Sequence, residues 1–226
     1  MKIVISGALH SGKSSYVKYL DNRALNIEAK GRDNQFYTVG MDMGSLKMNG
    51  FEVFLFGTPG LLRFSVMRDV VADGADGIIF IFDAANPEND EKAISILNSI
   101  RKIIKPGVPI IFLANKQDKE DARSPEVVRA QNYLPEKCKL FPTSTVTGLN
   151  IQESLRYIVN EIFDHYKETL EIMREYESNI RGLAKKLRMN KEQMRDFLNN
   201  LELKRFIDID RRNKIYKVRK GLKNLT

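Results

Sequence analysis

Cysteine is nearly absent from this 226-residue chain: Cys138 is the only one, and tryptophan does not occur at all. A single cysteine forms no intrachain disulfide and no thiolate metal cluster, which suits a reducing compartment and leaves Cys138 as a small core residue. Long hydrophobic runs are also missing. The longest apolar stretches, such as residues 77–82 and 110–114, are far too short to cross a bilayer. Met1-Lys2-Ile3 has no signal-peptide layout and no glycine after Met1, and the terminal Lys223-Asn224-Leu225-Thr226 has no cysteine for prenylation. These absences lead us to expect a cytoplasmic protein with no transmembrane segment and no evident lipid anchor.

What remains is an ordinary soluble composition, 42% hydrophobic and 29% charged, in a length that fits one core plus a small appendage. The net charge of +8 is unevenly divided. Residues 1–164 hold 20 basic and 20 acidic side chains, so the remaining 17 basic and 9 acidic ones fall in residues 165–226. The whole excess belongs to the tail, which points to a second module with a different kind of partner.

The chain is organised around Gly7-Ala8-Leu9-His10-Ser11-Gly12-Lys13-Ser14, directly after the apolar run Ile3-Val4-Ile5 and before the helix-like stretch 14–20. It matches the phosphate-binding pattern GxxxxGK[ST] in the strand-before, helix-after setting that the pattern needs. Glycines let backbone amides curl around phosphate oxygens, the helix aims its N-terminus at the charge, and Lys13 neutralises the outer phosphates. The Ser14 hydroxyl then suits magnesium, and Ser15 follows on the same turn. The loop alone does not name the nucleotide.

Residues 41–55 read as a hairpin about the Asn49-Gly50 turn. The apolar runs 78–82 and 110–113 alternate with helical stretches 88–104 and 125–132, which implies a parallel sheet covered on both faces. Ligands of such sheets lie beyond the carboxyl ends of the strands. The loops found there are the phosphate loop, Gly57-Thr58-Pro59-Gly60, and Asn115-Lys116-Gln117-Asp118. Asp118 can accept two hydrogen bonds from the guanine ring N–H and exocyclic amine, an edge that adenine does not present, while Asn115 and Lys116 brace the loop. A last short strand and loop, Leu140 to Thr145, precedes a helix from Ile151.

In these boxes and their order, residues 1 to about 165 resemble the Ras superfamily of small GTPases. Thr38 in Tyr37-Thr38-Val39-Gly40 stands for the switch threonine, and Thr143-Ser144-Thr145 for the family's Ser-Ala-Lys. The Thr-Val-Gly and Thr147-Gly148-Leu149-Asn150 phrases look most like the Arf-related and prokaryotic Ras-like branches. The resemblance implies GTP or GDP as ligand with Mg2+, held by Gly7, His10, Ser11, Gly12, Lys13, Ser14, Ser15, Thr38, Gly60, Asn115, Lys116, Asp118, Ser144 and Thr145. It implies that Ser14 and Thr38 bind the metal, that Gly60 reaches the terminal phosphate, and that Lys13, Thr38 and Gly60 serve catalysis. Residues 25–43 and 57–73 would be the two switches, ordered by GTP and released on hydrolysis.

Two departures qualify this. Gly57 stands where the family's third box normally starts with an aspartate, which suggests a more weakly held metal. Leu61 replaces the glutamine that orients the attacking water, which implies slow intrinsic hydrolysis. Gln35, three residues before Thr38 where heterotrimeric G-protein alpha subunits carry a cis arginine, is a candidate stand-in; a solvated switch residue is the plainer reading, as it is for Arg32, Arg63 and His10. Leu9 crowds the approach of an arginine from a partner.

The helix from Ile151 carries apolar residues on one side, and no Gly or Pro interrupts it before Gly182. Residues 178–187 and 190–201 read as two more helices, the second opened by the capping box Asn190 to Gln193, followed by strands 206–210 and 215–218. That order resembles a winged helix. As a DNA reader it would place Lys191, Arg195 and Asn199 in the major groove and Arg211, Arg212 and Lys214 on phosphates. Glu192 and Asp196 oppose that use, and winged helices also dock proteins or serve as structural caps.

The expected fold is therefore α/β: a P-loop, doubly wound, mostly parallel sheet with one antiparallel edge hairpin in residues 1–165, then a small winged helix-turn-helix domain in 166–226 joined through an extended helix. The expected function is a slow GTP-hydrolysing switch with a regulatory or effector protein as partner and DNA or protein bound by the tail. The competing reading is a hydrolysis-deficient, GTP-bound DNA-binding regulator or scaffold. An ATP-using P-loop kinase is disfavoured by Asn115-Lys116-Gln117-Asp118.

Overall fold

Alternation along the first strand sets the architecture. In the computed structural model, β1 (Lys2–Gly7) turns Ile3 and Ile5 to one side of a sheet and Val4 to the other, and all three are fully buried. A strand buried on both faces must lie inside a layered fold. The structure describes residues 1–25, 28–30, 36–38, 41–48, 50–61 and 64–219, with the backbone alone for 28–30 and 36–38. The sheet has six strands in the order β4-β5-β1-β6-β7-β8, where β4 is Asp42–Met48, β5 Phe51–Gly57, β6 Gly77–Asp83, β7 Ile110–Asn115 and β8 Leu140–Pro142. Every neighbouring pair is parallel except β4 with β5, the antiparallel edge hairpin expected from Asn49-Gly50.

One face is covered by α1 (Lys13–Leu20) and α5 (Ile151–Glu175), the other by α2 (Ser65–Ala72), α3 (Asp90–Ile103) and α4 (Pro125–Gln131). The helix expected over 88–104 starts later: Pro87–Asn89 form a 3₁₀ turn held by the Asn86 side chain, which accepts from the Glu88 backbone N–H. Two short strands that sequence pattern did not suggest, β2 (Glu28–Lys30) and β3 (Phe36–Thr38), pair antiparallel within the expected first switch. No helix among the described residues is long and apolar enough to cross a membrane.

The tail contains α6 (Ile180–Lys186), α7 (Lys191–Leu203), β9 (Ile207–Asp210) and β10 (Ile215–Val218), the last two forming an antiparallel ribbon. The long helix ends at Glu175, just before the separate helix expected from residue 178. Its continuation is drawn aside because the Glu177 carbonyl accepts from the Tyr216 N–H and its carboxylate from the Val218 N–H, while the Asn179 side chain caps α6 at Gly182. The capping box at α7 is present with both reciprocal bonds. Core packing runs on from the sheet into the tail. Phe206 lies 5.9 Å from Phe51 and 4.9 Å from Tyr166, ring to ring. Lys204 pairs with the buried Asp76, and the Met1 amino group donates to the carbonyls of Glu52 and Lys204. The tail thus sits at the ends of β1, β5 and β6 where those strands begin.

Candidate functional site: a nucleotide cradle

Four loops meet at the opposite end of the sheet, where β1, β5, β7 and β8 finish. Gly7 ends β1, and the phosphate loop turns through the exposed His10, at φ 60, into α1. Gly12 is the N-cap of α1 with φ 101, and a Cβ there would collide with the Asn115 side-chain amide. The close approach is used: Asn115 Nδ2 donates to the Ser11 carbonyl at 2.9 Å, tying the loop after β7 to the phosphate loop. Thr143 Oγ1 in turn holds Asn115 Oδ1 at 3.3 Å. Ser11 is buried, Ser14 half-buried and Ser15 exposed on the first turn of α1.

Lys13 has only 6% of its surface exposed, and its ammonium donates to the Ala8 carbonyl at 2.6 Å. Burial pushes its pKa down to about 8, opposed by the carboxylate of Asp42 and assisted by the guanidinium of Arg68. A lysine strained in this way is ready to take an anionic partner, since phosphate oxygens would replace the solvation it has lost. Gly60 comes to the same place: a Cβ on it would lie 2.7 Å from Lys13 Nζ and 2.7 Å from the Leu9 backbone nitrogen, so only glycine lets the loop after β5 approach. The buried Arg68 of α2 holds that segment from behind, donating to the carbonyls of Pro59 at 3.3 Å and Leu61 at 2.5 Å. Leu61 itself carries no polar group toward the loop.

The loops after β7 and β8 are braced separately. Ser144 Oγ bonds Asp118 Oδ1 at 2.5 Å, and the same hydroxyl oxygen accepts from the backbone N–H groups of Val146 and Thr147, so Asp118 and the Ser144-Thr145 loop are one unit. Lys116, at φ 72, pairs with Asp83 at the end of β6 at 2.6 Å. Arg123 clamps the carbonyls of Asp83 and Ala84 and the carboxylate of Asp90. The sequence motifs did not single out Asp83, Arg123 or Arg68, because their partners are backbone carbonyls or distant in the chain.

Gly7, His10, Ser11, Gly12, Lys13, Ser14, Ser15, Gly60, Asn115, Lys116, Asp118, Ser144 and Thr145 therefore all fall on these converging loops. Thr38 closes β3, paired through its backbone register with Glu28, and its side chain lies outside what is described. Gln35, Arg32, Arg63 and the Val39-Gly40 pair lie outside the described residues. In the tail, the exposed Lys191 opens α7, but Arg195 is flanked by carboxylates, Asp196 at 3.2 Å and Glu192 at 3.8 Å. Arg211 makes a two-pronged contact with Glu202, at 2.5 and 3.1 Å. Arg212 and Lys214 sit exposed in the turn between β9 and β10, and Asn199 is half-buried on α7.

Comparison with known proteins agrees with this geometry. Residues 2–164 match the model of the Ras family. An uncharacterized protein of Methanocaldococcus jannaschii is 27% identical over 168 residues, covering 73% of this chain and 96% of that protein. The Ras-related protein Rab-4A of Homo sapiens is 26% identical over 170 residues, 71% of this chain and 75% of its own length. The GTP-binding protein ypt4 of Schizosaccharomyces pombe is 23% identical over 172 residues, 72% and 71% respectively. A loop of the phosphate-binding pattern tied to the loop after β7 on a mostly parallel sheet, in a chain whose residues 2–164 match that model, identifies a GTPase that belongs to the Ras family.

Proposed function

We propose that the protein is a guanine-nucleotide switch of the prokaryotic Ras-like branch that hydrolyses GTP slowly in the cytoplasm and passes its state to a partner through a winged-helix tail. The observation that carries the switch reading is the bond from Asn115 to the Ser11 carbonyl, which makes base reading and phosphate binding a single rigid cradle. Asp118, exposed and fixed by Ser144, offers its carboxylate to the guanine edge. Lys13 and the amides from His10 to Ser15 take the phosphates, Gly60 approaches the terminal one, and Thr38 closes over it from the first switch. The donor set fits magnesium, a hard ion that takes oxygen ligands: the Ser14 hydroxyl, Thr38, and a carboxylate at position 42 that acts electrostatically on Lys13. When bound, that ion neutralises charge developing on the phosphate oxygens.

Slow turnover follows from Leu61, which offers no group to align water. The match to an archaeal protein over nearly its full length supports the prokaryotic branch. For the tail, the order α6, α7, β9, β10 after the end of α5 supports a winged-helix module with its boundary near residue 165. Carboxylates already engage Arg195 and Arg211, two of the six residues suited to DNA, which favours a protein surface as the partner. The test is displacement of a fluorescent GDP followed by phosphate release. GTP is expected to compete and ATP not, and Leu61→Gln is expected to speed single-turnover release by about tenfold or more. Equal competition by ATP overturns the guanine reading.

A further inference from the structure

Gly57 stands where the family's third box carries an aspartate, and the structure shows what fills the room. In the antiparallel β4–β5 pair, Asp42 lies directly opposite Gly57. A Cβ built on Gly57 meets Asp42 Oδ2 at 2.6 Å, its Cβ at 2.9 Å and its Cγ at 3.1 Å. The Asp42 carboxylate therefore occupies the volume that a residue-57 side chain would enter, and the two positions have space for one acid between them. Asp42 is 1% exposed, and its charge favours the ammonium of Lys13. A carboxylate so completely removed from water is costly unless cations and donors surround it. This one is buried among the strand ends that carry the phosphate loop, where Lys13 already supplies positive charge.

Resting on the guanine-nucleotide reading above, we propose that Asp42 is the acidic member of the magnesium and phosphate site, the carboxylate having moved across the β4–β5 pair from position 57 to position 42. Magnesium is commonly held by one or two carboxylates together with substrate phosphates and water. Delivered from β4, an acid reaches the same pocket from the facing strand, and a glycine at 57 is what makes room for it. Gly57 then marks a relocation of the acid across the β4–β5 pair.

The test follows release of fluorescent GDP from the full chain in magnesium and in excess EDTA, with the ratio of the two rates as readout. Wild type is expected to release GDP far more slowly in magnesium. Equal rates in wild type overturn the magnesium reading and this proposal with it. In Asp42→Asn, isosteric but uncharged, the magnesium effect is expected to shrink by about 10–100-fold, the usual result of losing a group that orients a metal's shell. An unchanged ratio in that variant, beside a magnesium-sensitive wild type, overturns the proposal alone. If circular dichroism shows Asp42→Asn unfolded, the double variant D42G/G57D decides, because it returns the acid to β5 and removes the Cβ that a residue-57 side chain would meet. A ratio restored to the wild-type value supports one shared carboxylate site, and a ratio near one overturns it.

Discussion

At the scale of single residues, Lys13 shows a functional group held against its own preference. Burial lowers its pKa from the usual 10.5 to about 8. Between those values the unfolded chain binds more protons than the folded one, so stability rises with pH across that window. Below pH 8 the folded, nucleotide-free protein carries the full cost of a charged ammonium in the interior. Lys13→Met keeps the length and removes the charge. It is expected to raise the stability of nucleotide-free protein by about 1–3 kcal/mol at pH 7, while abolishing GTP binding. The gain should shrink as pH climbs from 8 toward 10. Thermal melts of both proteins at several pH values check this, and a lower melting point for the variant at pH 7 contradicts it. Lys13 was legible in sequence because phosphate binding demands that residue type at that spacing. Asp42 was not, since its role appears only across the hairpin. The signal was nonetheless present: counting outward from Asn49-Gly50 pairs Met48 with Phe51 and, six steps further, Asp42 with Gly57.

At the scale of elements, sequence pattern read the sheet well because its central strands β1, β6 and β7 are buried on both faces and flanked by Gly, Pro or Asn. Helix ends were read less well, since they are decided by side chains that cap or divert the backbone. Asn86 delays α3, and Glu177 ends the long helix by turning its bonds to β10. The first switch was the least legible: its ribbon β2–β3 has no period-two pattern to announce it. The tail elements make two unequal contributions that substitution separates. Asn190→Ala removes one reciprocal cap on α7 and is expected to lower stability by about 0.5–2 kcal/mol. Phe206→Ala empties a fully buried position between Phe51 and Tyr166 and is expected to cost about 3–5 kcal/mol. Urea denaturation of the full chain ranks the two. A cap loss equal to or above the core loss would mean that Phe206 packs loosely and that the tail is held by its own helices.

At the scale of the whole molecule, the question is whether the tail is a passenger or part of the switch. Its contacts answer for the strand-start end of the sheet: Phe206 packs on Phe51, Lys204 pairs with Asp76, and Arg205 and Arg219 reach Glu52. Glu52 and Phe51 belong to the hairpin whose other end holds Asp42 and Gly57, so one element touches both the nucleotide cradle and the tail. The long helix α5 is buried on both sides of residue 165, at Ile162 and Phe163 before it and Leu170 and Met173 after it. Chains with two modules often unfold in two steps, each at its own temperature. With one helix and one hydrophobic cluster shared, this chain is expected to unfold in a single calorimetric transition. GDP at one hundred times its dissociation constant adds about 2.7 kcal/mol. For a chain of this size that should move the whole transition upward by roughly 5–10 °C, with the helical signal of the tail moving alongside the rest. Scanning calorimetry with and without GDP gives the answer. Two peaks, with only one displaced by the nucleotide, would show that the tail folds independently and that nucleotide state does not reach it through the shared core.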